Sequence, residues 1–592
     1  MAEMTKENTN TALDYRRKNR KKFTRTVIQT LLLLLLIFFL YQVVFNSKHY
    51  EEPVKADWQN TSGFIALSYF GVDRTGSPKL VSKEQLEKQL GTLYEQGYKT
   101  ISQQDILDFY QKGKALPKKA LFLSFEDGRN DSSIYAQPLL EKYNFKATFF
   151  SYANKMGNSD RKFVQPKDML KMLKTGYWEL GSNGYRLSYI NIFDNAGNYI
   201  GDKNENQLRN KQNIEYYNHY LMDFKRDENM IPTEHRDEME KRIKKDYQLM
   251  KDIYTEQLGF VPNTYMIMHA NTLYEGMNPL VSDANDENIK QLFKMHFNRE
   301  GHAYNDSEQN LYDLTRVQPE PFWYTNHLLM RLNHDSKQNL QFISGDEELA
   351  GKWKQLSGAA EFIDNQIALT STAGGEGSIY LKGSDHYKDT QLKVKLTGNV
   401  VGQQKIYLRN DLKKDAFIRI NLNNNVLTVE EKKEGGKAKK IFSQKLDPVK
   451  WNVKDLTFEK ATYYSKSQTQ SGKGTSDDDE YPTNIKQTRA LNITVKGDEL
   501  SLSVGKKQLI SKLKIDKEIQ TGGISLESEY NEQNKKDDIY DGVFEDLEVK
   551  NLDHGNNNQT ELFTNKPSGM MKATSQIKKG FDAVIDWAIV TF

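Results

Sequence analysis

The sequence predicts an α/β unit followed by an all-β unit, held to a membrane by one N-terminal helix. Three observations carry this. Strand-like apolar runs alternate with helix-period segments between Gly63 and about Asp335. Short strands punctuated by Gly, Asn and Asp turns fill the chain from about Ser344 to Asn551. A stretch without a charge, "VIQTLLLLLLIFFLYQVVF", runs from Val27 to Phe45.

That apolar stretch comes first in the chain. At 1.5 Å per residue it spans about 28 Å, enough to cross the hydrocarbon layer. Arg16, Arg17, Lys18, Arg20, Lys21, Lys22 and Arg25 crowd the preceding flank, whereas "NSKHYEEPVKADW" on the other side is mixed. The positive flank predicts a cytoplasmic tail over 1–26, a single-pass cell-membrane anchor over 27–45, a linker over 46–62 and an extracellular remainder. A cleaved signal peptide would have a shorter apolar core and a small-residue cleavage site, which "YQVVFNSKHYEE" does not offer.

Composition narrows the classes of function. With 592 residues, 37% of them hydrophobic, the chain can bury more than one core. Its 83 basic and 80 acidic side chains leave a net charge of +3, too balanced for a general nucleic-acid binder. The absence of cysteine excludes disulfides, thiolate zinc sites and a cysteine nucleophile.

Within 63–335 the strand candidates are "GFIALSYF", "KTIS", "KALFLSF" and "KATFFSYA", and the helix candidates are "SKEQLEKQLGTLYEQGY", "QQDILDFYQKG" and "SIYAQPLLEKYNF". This alternation predicts parallel strands covered by helices. The strands of 344–551, among them "QLKVKLTG", "AFIRINLN", "LNITVKG" and "GVFEDLEVKN", predict a β-sandwich of jelly-roll type. Its low-complexity insert, Ser465 to Asn484, reads as a hairpin loop whose acids Asp477 to Glu480 are solvated rather than calcium-binding. Trp353, Tyr380, Tyr387, Tyr407, Tyr463 and Tyr464 are either sugar-stacking platforms or core. After a linker over 552–575, Ile577, Phe581, Val584, Ile585, Ala588, Ile589 and Phe592 recur at helical spacing and predict an amphipathic helix over 576–592.

The chemistry centres on "ALFLSFEDGRND", a buried strand that stops at Glu126, Asp127 and a glycine. A strand-end Asp-Gly also caps turns. Adjacent strand residues point to opposite faces, so Glu126 and Asp127 alone should not form a paired-carboxylate site.

The series "ALSYFGV", "LPKKALFLSFEDG", "YNFKATFF", "GYWELGSNGYRLSY" and "MEKRIKKDYQLMKDIYTEQLGF" resembles the NodB-homology polysaccharide deacetylases of the exopolysaccharide-associated branch, over about 63–335. The resemblance implies a distorted (β/α) barrel with its site at the strand C-terminal ends. It puts Glu126 at the position of the general base and Asp127 at that of a metal ligand, with two imidazoles from an H-x-x-x-H turn completing the metal site. Such a metal lowers the pKa of the attacking water, which the base deprotonates, and stabilises the oxyanion; it needs about three protein ligands. Here the turn reads "SNGYRLS", so Asn183 and Leu187 stand at the imidazole positions. Leucine has no lone pair and an asparagine amide is a poor zinc ligand. The expectation is therefore no cofactor, with a zinc-like divalent metal at Asp127 as the alternative. Asn183, Tyr185 and His269 are the substrate-facing candidates, and His269 is also the candidate replacement ligand. His219, His235, His296 and His302 form no ligand spacing.

Three functions stay open. The first is an extracellular deacetylase-like protein acting on or binding a surface exopolysaccharide during synthesis, modification or export. The second is a catalytically inactive glycan-binding scaffold of a synthesis complex. The third is a glycoside hydrolase pairing Glu126 or Asp127 with another carboxylate such as Glu320. The closing strands resemble concanavalin-like and laminin-G-like jelly rolls. The expected partners are a polysaccharide of N-acetyl sugars, the membrane through one helix, and a polysaccharide synthase or export protein, with no nucleic acid.

Overall fold

The computed structural model describes residues 15–45, 48–157, 161–194, 196–208, 213–267, 277–449, 485–534, 537–552 and 560–566. The predicted loop over 465–484, with Tyr463 and Tyr464 before it, and the predicted helix over 576–592 lie outside them. A helix, Tyr15–Phe45, carries the basic flank and the apolar stretch. The side chains at 15–18, 35, 36 and 38–45 are outside the description, and among the described residues no helix is long and apolar enough to cross a membrane.

The α/β unit closes on itself. Strands β1 (Gly63–Tyr69), β2 (Ala120–Phe125), β3 (Ala147–Ser151), β4 (Trp178–Ser182), β5 (Thr264–Met266), β6 (Met295–Glu300) and β7 (Leu314–Arg316) pair in parallel in that order. Val317, just past β7, bridges back to Leu67 of β1: Ser68 N–H donates to Val317 O at 2.9 Å and Val317 N–H to Ala66 O at 3.0 Å. The strands read as unbroken apolar runs because both faces are covered. One face of β1 and β2, with Leu67, Tyr69, Leu123 and Phe125, packs under the helices. The other, with Phe64, Ala66 and Phe122, joins Phe150, Met266, Phe297 and Leu314 in the lumen. Gly181 of β4 is dictated by that lumen, since a Cβ there would lie 2.4 Å from the Phe150 ring.

The helices between strands are set by local signals. Ser102 and Asp105 form a capping box at the start of Gln103–Lys112, and Gly113 ends that helix at φ 64°. Arg236–Leu258 begins after His235, its N-cap residue.

The all-β unit is two antiparallel sheets. One orders Trp353–Ser357, Glu376–Leu381, Gly523–Glu529, Gln403–Asp411, Ala416–Asn423, Val426–Lys432 and Lys439–Lys445. The other orders Ala359–Ile363, Gln366–Thr370, Asp541–Asn551, Thr390–Asn399, Lys486–Lys496, Glu499–Val504 and Lys507–Lys514, with Thr560–Thr564 beside Asp541–Asn551. Leu392, Val394 and Leu396 alternate with more exposed residues and meet Ile406, Ile418 and Leu526 of the facing sheet in one core. Trp353 belongs to that core, edge-on to Phe563, so it is no sugar platform. Tyr387 packs half-buried against the same core, while Tyr380 and Tyr407 donate their hydroxyls to Asp385 and Glu527.

The two units meet along the helix Thr325–Ser336. Buried His327 lies between two carboxylates of the sandwich, Nδ1 to Asp541 Oδ2 and Nε2 to Asp537 Oδ2, both 2.9 Å. Arg331 reaches Asp537 Oδ1 at 2.8 Å and also Asp538. Lys88 pairs with buried Glu361.

Candidate functional site

The site lies where β2, β3 and β4 end. Glu126 still follows the ladder, donating its N–H to Tyr69 O at 2.9 Å, so the alternation that turns Phe122 into the lumen turns Glu126 inward too. It is fully buried, and Arg316 at the end of β7 donates from Nε to Glu126 Oε1 at 3.0 Å. Burial works against the Arg316 charge, but Glu126 and Glu300, the latter 3.3 Å from Nη2, outweigh it and hold its pKa above the ordinary arginine value. Glu126 Oε2 has no hydrogen-bond partner among the described residues.

Asp127 leaves the strand. Its φ is 64° and that of Gly128 is 67°, so the two-face argument drawn from strand alternation fails one residue past Glu126. Burial pushes the Asp127 carboxyl up to about 6, against the pull of Arg129, whose Nη1 is 3.4 Å from Asp127 Oδ2; Glu205 adds to the rise, while Lys162 and Lys155 oppose it. Asn183 braces this turn. Its Oδ1 accepts from Asp127 N–H at 3.1 Å and its Nδ2 donates to Met266 O at 3.0 Å, so both ends of the amide are used within the protein.

Tyr152 follows β3 and shares the inward face of Phe150. Its ring is clamped with Leu187, Tyr189, Ile192 and Tyr217 in an apolar cluster, and its hydroxyl is buried without a partner among the described residues. Burial, then Asp127, Tyr189, Glu126 and Glu205, hold the phenol pKa well above its usual value.

The other candidates are scattered. Tyr185 is half-buried with the Arg186 guanidinium 5.1 Å from its ring centroid. His269 lies outside the described residues. His296 sits on the β6 face opposite Met295 and Phe297, against Tyr265, with burial and then Arg316 holding its pKa down to about 3. Glu320 meets the helix Lys83–Glu95 through its carbonyl, which accepts from Gln85 Nε2 at 3.1 Å.

Residues 113–264 match the family described as polysaccharide deacetylase. A poly-β-1,6-N-acetyl-D-glucosamine N-deacetylase of Staphylococcus aureus (strain MSSA476) is 31% identical over 112 residues, 18% of this chain and 38% of that protein. Its namesake from Staphylococcus epidermidis is 25% identical over 196 residues, 30% of this chain and 65% of that protein. The chain is thus similar, over residues 113–264, to the polysaccharide deacetylases. It spans less than two thirds of these relatives' own length. A solved deacetylase domain from Bordetella bronchiseptica is similar at 15% identity with a TM-score of 0.34, over 45% of this chain and 98% of that one.

The residues at the deacetylase metal position do not fit a metal. Leu187 is packed in the apolar cluster with Tyr152, the Asn183 amide oxygen is a poor metal ligand that already accepts from the Asp127 N–H, and the cation nearest the Asp127 carboxyl is Arg129. Among the described residues no three His, Asp or Glu side chains come together as a ligand set. What this barrel end does hold is a fixed carboxylate oxygen and a fixed phenol, both buried and both without a partner among the described residues. Sequence reasoning missed Arg316, Arg129 and Tyr152. Arg316 lies 190 residues from Glu126, and only barrel closure joins them. Tyr152 was within reach, two residues after inward Phe150.

Proposed function

We propose that the barrel binds a polysaccharide of N-acetylated sugars without cleaving it, as a glycan-holding part of exopolysaccharide synthesis or export at the cell surface. The observation that carries this is the pair Asn183 and Leu187, one a poor metal ligand bonded into the turn and the other packed in an apolar cluster, where metal-dependent hydrolysis needs two ligands. The similarity to polysaccharide deacetylases, and to staphylococcal proteins named for poly-β-1,6-N-acetyl-D-glucosamine, supports the sugar class. The apolar stretch over 27–45 and its basic flank support a single-pass anchor with the barrel outside, next to a synthase or export protein. The two-sheet unit, read as a jelly roll, would extend the surface facing the polymer.

The test uses the full-length chain in detergent. Dialysed against zinc, it should retain no stoichiometric ion, and it should release no acetate from β-1,6-linked N-acetylglucosamine oligomers that it binds in calorimetry. One tightly held ion per chain, lost in Asp127→Ala, would overturn the reading. So would acetate release abolished by Glu126→Gln, which would return Glu126 to the role of a base.

A further inference from the structure

Two polar atoms at the lumen mouth, Glu126 Oε2 and the Tyr152 hydroxyl, are buried and have no partner among the described residues. Folded proteins rarely leave such atoms unmatched, because a buried polar atom without a partner loses its hydrogen bonds to water and gains nothing in return. Neither can swing away to find a partner. Arg316 holds the other oxygen of Glu126, and the cluster of Leu187, Tyr189, Ile192 and Tyr217 holds the Tyr152 ring. Strand alternation turns both side chains to the same inward face, from the ends of the adjacent strands β2 and β3. The site therefore presents one fixed acceptor and one fixed donor. A secondary amide carries the matching pair, an N–H and a C=O on opposite sides of one planar group.

On the reading that the barrel binds an N-acetylated polymer, we infer that Glu126 and Tyr152 hold the acetamido group itself, Glu126 Oε2 accepting from its N–H and the Tyr152 hydroxyl donating to its carbonyl. The phenol stays a donor throughout the physiological range, since burial and the neighbouring carboxylates oppose its ionisation. Tyr152 is thus the residue that tells an acetylated sugar from a plain one.

Calorimetry of the full-length chain in detergent, with two neutral trisaccharides, tests this. One is β-1,6-linked N-acetylglucosamine and the other β-1,6-linked glucose, which differs in lacking the acetamido group. The acetylated trisaccharide should bind at least about tenfold more tightly. Tyr152→Phe should remove about tenfold of that affinity and leave the glucose trisaccharide unaffected; Glu126→Gln should weaken the acetylated ligand in the same selective way. Equal affinity for the two sugars, or a Tyr152→Phe variant that binds like the parent, would overturn the acetamido assignment while leaving glycan binding intact. Failure of the parent to bind either sugar would instead overturn the binding reading beneath it.

Discussion

The barrel mouth and the barrel–sandwich junction both take charged groups out of water, and they treat them oppositely. At the junction every atom of the central group is matched: both His327 nitrogens meet carboxylates, Asp541 Oδ1 accepts from Thr370 Oγ1 at 2.6 Å, and Asp541 Oδ2 also accepts from Tyr324 N–H at 3.1 Å. At the mouth, Glu126 is matched on one oxygen and Tyr152 not at all. Full pairing serves to fix two domains against each other. Half pairing costs stability in the free protein and leaves hydrogen-bonding capacity for something else.

The largest effect that could break this contrast is at Arg316. Arg316→Met leaves the buried Glu126 carboxylate without its counter-ion and should destabilise the protein by about 3–5 kcal/mol in denaturant unfolding. Adding Glu126→Gln should recover a large part of that loss. If Arg316→Met is nearly neutral, Glu126 is better solvated than the geometry implies and the mouth is not a half-paired site.

Next in size is the pH response of the junction. Burial alone would lower the His327 pKa, but Asp537 and Asp541 outweigh it and lift it to about 9, against about 6.5 in an unfolded chain. A raised folded pKa stabilises fully below about pH 6.5, and that contribution is lost as pH rises to about 9; its size is about 3 kcal/mol. The melting temperature should fall over this window, and His327→Gln should flatten the fall. An unchanged slope in His327→Gln would show that the junction owes nothing to the charged imidazole.

How much of this was readable beforehand differs between the two regions. The barrel strands and the helices between them follow from local apolar periodicity and caps, and "ALFLSF" is a buried parallel strand at the bounds its pattern suggests. The positions of Glu126 and Asp127 were readable too, but not their orientation, because the left-handed φ of Asp127 is imposed by the turn that Asn183 braces from another strand. The junction was not readable at all. His327 and Asp541 are 214 residues apart, and their meeting depends on how two separately folded cores pack. Likewise Asn183 looks like a substrate contact in sequence, and only the closed barrel shows its amide braced between the Asp127 N–H and the Met266 carbonyl.

A middle-sized effect checks that the lumen beneath the mouth is packed, so that its unmatched atoms are held in place. Gly181→Ala puts a methyl group into the Phe150 ring and should cost about 1–3 kcal/mol. It should also weaken binding of the acetylated trisaccharide, since Phe150 precedes Tyr152 on the same face. A cost near zero would mean a loose lumen, in which unmatched atoms could rearrange.

The smallest expected effect is the most discriminating. In the His327 group at the junction, removing a polar partner should destabilise, because each is matched. Tyr152→Phe removes a hydroxyl that is buried and unmatched while leaving the ring in its cluster with Leu187, Tyr189 and Ile192. Deleting an unsatisfied buried group recovers its desolvation cost, so the variant should be as stable as the parent or more stable by up to about 1 kcal/mol. Thr370→Val, which deletes the hydroxyl that donates to Asp541, should go the other way by about 1 kcal/mol. Parallel urea unfolding of the two variants reads the difference in sign directly. A destabilised Tyr152→Phe would mean that the phenol already has a partner in the free protein, an ordered water or a residue outside the described segments, and the mouth would then be as fully paired as the junction.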